Sequence, residues 1–436
     1  MRSKVGDAAA LVGLKFALGL WLAHQGFSHV SDDDYARAVI SELFAHSPKL
    51  DPSGTSWLPL PFWITGGAMM VLGRSLEVAR GVALTLGALS VIPLYVALRS
   101  TGVSRVSALV GVGLGMATPW NAWLGAAAVP EGYVGALVAA GAIALGHVRT
   151  RPWAALCLLA AALSRYEAWP VCAFFGAVIA WRTARSEAER RTAAAWLTVA
   201  LAIAGPLAWM AWNYRAHGSA THFLTRVAAY RHAIGAGGEP LYDRLTAYPF
   251  GLIAGAPDVA LMTVPGVIAF CIFPAARVRW TMPLLAMLSI VIFLAYGDAH
   301  DGAPTHHPER TLVAVWWVMA AFGSDGAGRL FSRMAFGRSG REAWGVALAS
   351  GVAVAWISSL LGSWSAFPGS TAQELRGGQI ARGMKLRSEG VVRFAVAPCA
   401  YEHFALMAAF GAPEGVRVMA ATHAPISPLC PRVERE

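Results

Sequence analysis

The chain has 436 residues, of which 56% are hydrophobic and only 14% charged, with a mean hydropathy of +0.51. Soluble domains carry nearer a quarter charged residues, so a water-soluble globular protein is excluded. The formal net charge of +10 comes from arginines placed between apolar runs, the pattern that orients membrane proteins, and this excludes nucleic acid as the partner.

Taken in chain order, the elements are apolar runs of about 15 to 22 residues, long enough to cross a bilayer as helix. Met1–Lys4 is followed by Ala8–Ala23, a first span that is retained rather than cleaved. The sequence predicts spans near 8–23, 80–98, 106–119, 132–148, 152–164, 167–181, 193–212, 250–273, 280–296, 311–324 and 343–362. With the N-terminus inside, every second connection is basic. These connections carry Arg99 and Arg105, then Arg149 and Arg151, then Arg182 to Arg191, then Arg277 and Arg279, then Arg329 to Arg341. Trp57–Gly73 is apolar enough to span, but counting it would put the basic 182–191 loop outside. With Pro59 and Pro61 it reads as an outer-face juxtamembrane helix. Arg165, Glu167 and Pro170 break 152–181 into two short crossings.

The expected fold is therefore an all-α polytopic membrane protein with about eleven transmembrane helices and outer-face juxtamembrane helices, plus a small C-terminal α/β domain. Residues 1–362 form the transmembrane part, with a first outer loop at 24–79. Residues 363–436 form an extracytoplasmic tail, in which 391–397 and 416–420 are strand-like and 401–410 helix-like. Cys157, Cys172 and Cys271 lie in apolar runs, and Cys399 and Cys430 in the tail are open to pairing outside the cytoplasm.

The unusual polar residues fall on the outer side. Asp32-Asp33-Asp34-Tyr35 follows the first span and opens an amphipathic helix with Ala36, Val39, Ile40 and Leu43 on one face. A carboxylate at the membrane surface suits a general base, although Asp32 or Asp33 also suits a helix cap. Glu131 stands between two apolar helices, where an ionisable side chain needs a partner, a cavity or a cap to serve. Arg165 and Glu167 fit either a local ion pair or a guanidinium aimed at the carboxylates. His306, His307 and Arg310 precede a span at headgroup level, where an arginine fork suits a phosphate. Arg215, His217, His222, Arg226, Arg231 and His232 make an outer loop basic, which asks for an anion outside. Carboxylates for a hydroxyl and cations for a phosphate together fit a polyprenyl-phosphate sugar. No glycine-rich nucleotide loop is present to argue otherwise.

At these residues the chain resembles the glycosyltransferase C superfamily, polytopic transferases that include protein O-mannosyltransferases and lipid A aminoarabinose transferases. The resemblance rests on Asp33-Asp34-Tyr35 after the first span, the proline-containing Trp57–Trp63 segment, Glu131, Arg165-Tyr166-Glu167 and His307-Pro308-Glu309-Arg310. It implies an inverting hexosyl- or pentosyltransferase in a bacterial inner membrane, facing the periplasm or exterior, with a lipid, glycan or protein acceptor. Asp33 or Asp34 would be the base. Glu131 would orient the acceptor or a divalent cation, and Arg165, His306, His307, Arg310 and Tyr35 would hold substrate. The alternatives from other classes are a flippase of a lipid-linked intermediate and a non-catalytic scaffold.

Overall fold

The computed structural model describes residues 2–233, 239–302, 307–333, 370–396, 403–418 and 433–435. The expected span at 343–362, and Cys399 and Cys430, lie outside them. Helix α1 is Arg2–His24, α2 Asp33–His46, α3 Leu60–Leu72, α4 Leu76–Leu89, α5 Val91–Ser100, α6 Arg105–Ala117, α7 Pro119–Ala126 and α8 Glu131–Ala144. Then follow α9 Arg151–Ala162, α10 Trp169–Arg185, the single turn α11 Glu187–Arg190, α12 Ala193–His217 and α13 His222–Ala233. The membrane part closes with α14 Leu241–Ala254, α15 Pro257–Ile272, α16 Pro274–Ala299 and α17 Val313–Arg333.

Four stretches among the described residues are long and apolar enough to cross a membrane: Val5–His24, Leu76–Ser100, Ala193–His217 and Pro274–Ala299. The other expected spans in the described residues coincide with shorter or more polar helices. The 152–181 stretch is two helices, because Arg165 takes an extended conformation between α9 and α10. The 250–273 span needs correction. Its residues belong to α14 and α15, which meet at a bend of 83° around Gly255 and Ala256. Pro257 causes the break, since it disfavours helical backbone in the residue before it.

Helix α8 is the centre of the bundle, with every residue except Leu137 buried. Glycines allow its close contacts: a Cβ on Gly135 would meet Val313 Cγ1 at 2.5 Å, and one on Gly141 would meet Leu158 Cγ at 2.6 Å. At Gly132 a Cβ would stand 2.3 Å from the Leu124 carbonyl oxygen and 2.9 Å from Gly125 Cα, so the obstacle is backbone. Gly132→Ala is therefore expected to lose about 1–3 kcal/mol through overpacking. Thermal unfolding in detergent checks this, and an unchanged midpoint would contradict it.

The basic connections gather at one end of the bundle. Arg279 reaches the Gly102 carbonyl at 2.9 Å and Asp325 at 2.9 Å, and Arg329 joins Asp325 at 2.9 Å. Asp7 accepts from Arg105 at 2.6 and 2.8 Å and from the Tyr95 hydroxyl at 2.6 Å.

The tail has the expected α/β character. Strands β1 Phe394–Val396, β2 Val416–Val418 and β3 Val433–Arg435 form a sheet in the order β2-β1-β3, parallel on one side and antiparallel on the other. Helices Ser370–Ser388 and His403–Phe410 accompany it. This module packs directly on α2: Ala405, Met407 and Ala408 share one apolar core with Tyr35, Ala38 and Val39. Arg74 adds two hydrogen bonds of 2.8 Å to Glu414 at the edge.

Candidate active site

Three adjacent carboxylates repel one another unless each finds its own compensation. The structure gives the three aspartates three different partners. Asp32 accepts from Arg376 of the tail, Nε at 2.6 Å and Nη2 at 2.9 Å. Asp33 accepts from Arg310 Nη1 at 3.2 Å and keeps 40% of its side chain exposed. Asp34 is buried and, among the described residues, accepts backbone N–H groups alone: those of Val30 and Ser31 on Oδ2 at 3.3 and 3.2 Å, and that of Ala128 on Oδ1 at 2.9 Å. It pins the loop before α2 to the turn before α8.

Burial pushes the Asp34 carboxyl up to about 6, against the opposing pull of Arg310 and of the Ser31 and Ala128 backbone donors. A raised carboxyl stabilises the fold fully below its unfolded value near 4, and that contribution is lost as pH rises through about 6. Asp34→Asn turns one acceptor into a donor that faces backbone N–H groups, which should cost about 1–3 kcal/mol. In thermal unfolding the variant is expected to be less stable throughout. Its deficit against wild type should shrink as pH rises from about 4 to about 6, and a deficit that widens over that window would contradict the assignment.

Glu131 opens α8, where its carboxylate meets the positive end of the helix dipole. Its Oε1 receives Arg310 Nε at 3.0 Å, Arg310 Nη2 at 2.6 Å and Arg165 Nη1 at 3.1 Å. Arg165 also donates through Nε to Glu167 at 3.1 Å, so the local ion pair and the cavity-facing guanidinium are both present. Arg310 binds Ser31 Oγ at 2.9 Å in addition. Residues from four separate stretches, near 31–34, 131, 165–167 and 310, thus meet at one end of the helices.

Other expected site residues lie elsewhere. Tyr35 is fully buried, with its hydroxyl at 3.1 Å from His29 Nδ1 and 3.3 Å from Ser28 Oγ, and it belongs to the core under the tail. His307 adopts φ 53° and sets its ring 5.6 Å from Trp120. His306 lies outside the described residues. In the basic outer loop, Arg231 is held by Asp298 at 2.6 Å, while Arg244 of α14 pairs with Asp301 at 2.5 Å. For Arg231, the anion that the loop seemed to await is the chain's own.

Arg37 was not singled out from the sequence. It lies one turn beyond Asp33, on the same side of α2. Its guanidinium sits 4.4 Å from the Trp57 ring and 5.7 Å from that of Phe62. Although only 5% exposed, its Nε and Nη1 have no hydrogen-bond partner among the described residues. Buried N–H groups are rarely left so, and each such case asks for a ligand or a water. It lines a groove with Phe62, Leu86, Pro130 and Tyr133, and a second groove runs past Glu131, Arg165, Arg310 and Thr311. The signal that would have found it is the i, i+4 spacing from Asp33 on a helix already drawn as amphipathic.

Among the described residues no three His, Cys, Asp or Glu side chains gather as a metal site. At Glu131 two guanidinium groups take Oε1, while Oε2 is buried with no hydrogen-bond partner among the described residues.

No protein-family model matches the chain, and no curated protein matches it. Solved structures do. ArnT from Cupriavidus metallidurans bound to undecaprenyl phosphate aligns with a TM-score of 0.52 at 14% identity, over 94% of this chain and 75% of that one. The apo state of the same protein aligns with a TM-score of 0.49 at 14% identity, over 94% and 76%. The chain shares the fold of the undecaprenyl-phosphate-bound ArnT structure, a polytopic all-α membrane architecture of the kind expected from the sequence.

Proposed function

We propose that the chain is a membrane glycosyltransferase that moves a sugar from a polyprenyl-phosphate donor to a lipid, glycan or protein acceptor on the outer face of a bacterial inner membrane. The observation that carries this reading is the placing of Asp33 and Arg37 four residues apart on α2. A half-open carboxylate and a buried guanidinium with uncommitted N–H donors stand one helical turn apart, beside a groove with apolar walls. The likeness of fold to a protein solved with undecaprenyl phosphate supports it.

In this reading the donor phosphate meets Arg37, and its isoprenoid chain follows the apolar wall. Asp33 takes the proton of the acceptor hydroxyl as that oxygen attacks the anomeric carbon. The bond between that carbon and the phosphate oxygen breaks, and its electron pair leaves on the phosphate. One displacement with one base inverts the anomeric centre. Glu131, Arg165 and Arg310 form the frame that holds Asp33: Arg310 binds one carboxylate oxygen and leaves the other for the hydroxyl. Asp34 ties that frame together from beneath, so it is Asp33 that we assign as base.

The test is transfer of radiolabelled sugar by the purified protein in proteoliposomes, from a panel of polyprenyl-phosphate sugars to lipid, glycan and protein acceptors. Transfer with inversion is the expected result. No transfer from any donor, with undecaprenyl phosphate failing to bind the folded protein, would overturn the reading. A flippase would place the charges of its site midway along the bundle, whereas Asp33, Glu131, Arg165 and Arg310 lie at or beside helix ends.

A further inference from the structure

Resting on the transferase reading, we infer that Arg376 of the C-terminal module is a positioning residue of the active site: it occupies Asp32, so that of the first two aspartates only Asp33 draws on Arg310. Three observations converge on it. Asp32 stands at the N-cap of α2, yet its side chain makes no capping hydrogen bond. An aspartate there ordinarily accepts from the backbone N–H two or three residues on. Instead both of its oxygens are taken by a fork from Arg376, at 2.6 and 2.9 Å. Such bidentate charge-assisted pairs fix orientation as well as adding energy.

The pair is also well covered. The Arg376 side chain is 6% exposed and that of Asp32 27%, so solvent screens it less than a surface pair. The helix that carries Arg376, Ser370–Ser388, is polar along much of its length, and among its described side chains this arginine is buried together with Gln379 and Leu386.

Removing the fork has a definite consequence for the neighbouring residue. Asp32 would lose its guanidinium partner directly beside Asp33, whose own cation, Arg310 Nη1, also holds Ser31. Competition for Arg310 would turn the first turn of α2, which carries Asp33 and leads to Arg37. Arg376 is not among the residues that line either groove, and its fork on Asp32 is its link to the first turn of α2. Docking of the module does not depend on it, because the apolar contact of Ala405, Met407 and Ala408 with α2, and the Arg74–Glu414 pair, remain.

The experiment compares wild type, Arg376→Gln, Arg376→Lys and the double variant Asp32→Asn/Arg376→Gln in proteoliposomes. Arg376→Gln is expected to lower kcat by about 30-fold, the scale of a misplaced catalytic group, with donor KM within about twofold. Lysine should recover part of the loss. The double variant should recover most of it, since the carboxylate that needed Arg376 is gone. A merely structural arginine predicts equal losses in the single and double variants, with release of the module in limited proteolysis, and that result would overturn the inference, as would an unchanged kcat in Arg376→Gln.

A second readout does not need activity. Carbodiimide-driven amidation, mapped by peptide mass spectrometry, should show Asp33 labelled faster in Arg376→Gln and at the wild-type rate in the double variant. If wild type transfers no sugar, the transferase reading fails, while this labelling pattern still decides whether Arg376 governs Asp33.

Discussion

Asp33→Asn is expected to abolish sugar transfer, lowering kcat on the order of 10³-fold while leaving the folded protein and its affinity for undecaprenyl phosphate near wild type. The amide keeps the shape of the side chain and still offers one oxygen to Arg310, so the frame around it stays in place. What it loses is the capacity to take a proton from the acceptor. The neighbouring aspartate provides the contrast, because Asp34→Asn strikes buried backbone donors and shows itself as lost stability. The measurement is single-turnover transfer together with thermal unfolding on both variants. Transfer by Asp33→Asn within tenfold of wild type would remove Asp33 from the role of base.

The second large effect belongs to Arg37. Arg37→Met preserves the stem that packs on Trp57 and Phe62 but removes the guanidinium. Binding of undecaprenyl phosphate is expected to weaken about 100-fold, roughly 3 kcal/mol, in the range for losing one partner of a buried charged contact. Lysine should restore little, since a point charge on a flexible stem does not reproduce the planar fork. The ligand-free protein should become more stable, because two buried N–H groups without partners are deleted, each costing about 1–3 kcal/mol when orphaned. Tighter fold and weaker binding from one substitution is the signature of a residue kept for its ligand. Titration with undecaprenyl phosphate, paired with thermal unfolding, reads both quantities. Loss of stability with unchanged binding would assign Arg37 to the fold instead.

Much of this architecture was legible because the bilayer imposes simple rules on composition. The apolar runs, the basic connections and the break at Arg165 follow from length and charge, and the structure has helices where they point. The convergence of Asp33, Glu131, Arg165 and Arg310 was legible as sidedness. Which aspartate lies open was not, because adjacent residues on a helix point 100° apart and the sequence does not say which face meets the turn at Ala128. Tyr35 went astray for the same reason, since it faces the tail core and not the groove. Arg37 was hidden by ordinariness: a single arginine in an amphipathic helix usually reaches water, and only its burial on Trp57 reveals otherwise. The bend at 255–256 needed the local effect of Pro257 to outweigh a continuous apolar stretch.

The apolar core shared by α2 and the helix His403–Phe410 sets an order of events during biosynthesis. Helix α2 leaves the ribosome more than 350 residues before this partner, so the part of its face that Ala405, Met407 and Ala408 cover must wait, with only α3 and α4 beside it, while the rest of the membrane part is made. Asp32 at its start comes under the hold of Arg376 only after the tail has reached the same side of the bilayer. A chain cut short within the tail would then be fully inserted and yet catalytically silent. On the transferase reading, no half-built enzyme would then draw on lipid-linked sugars.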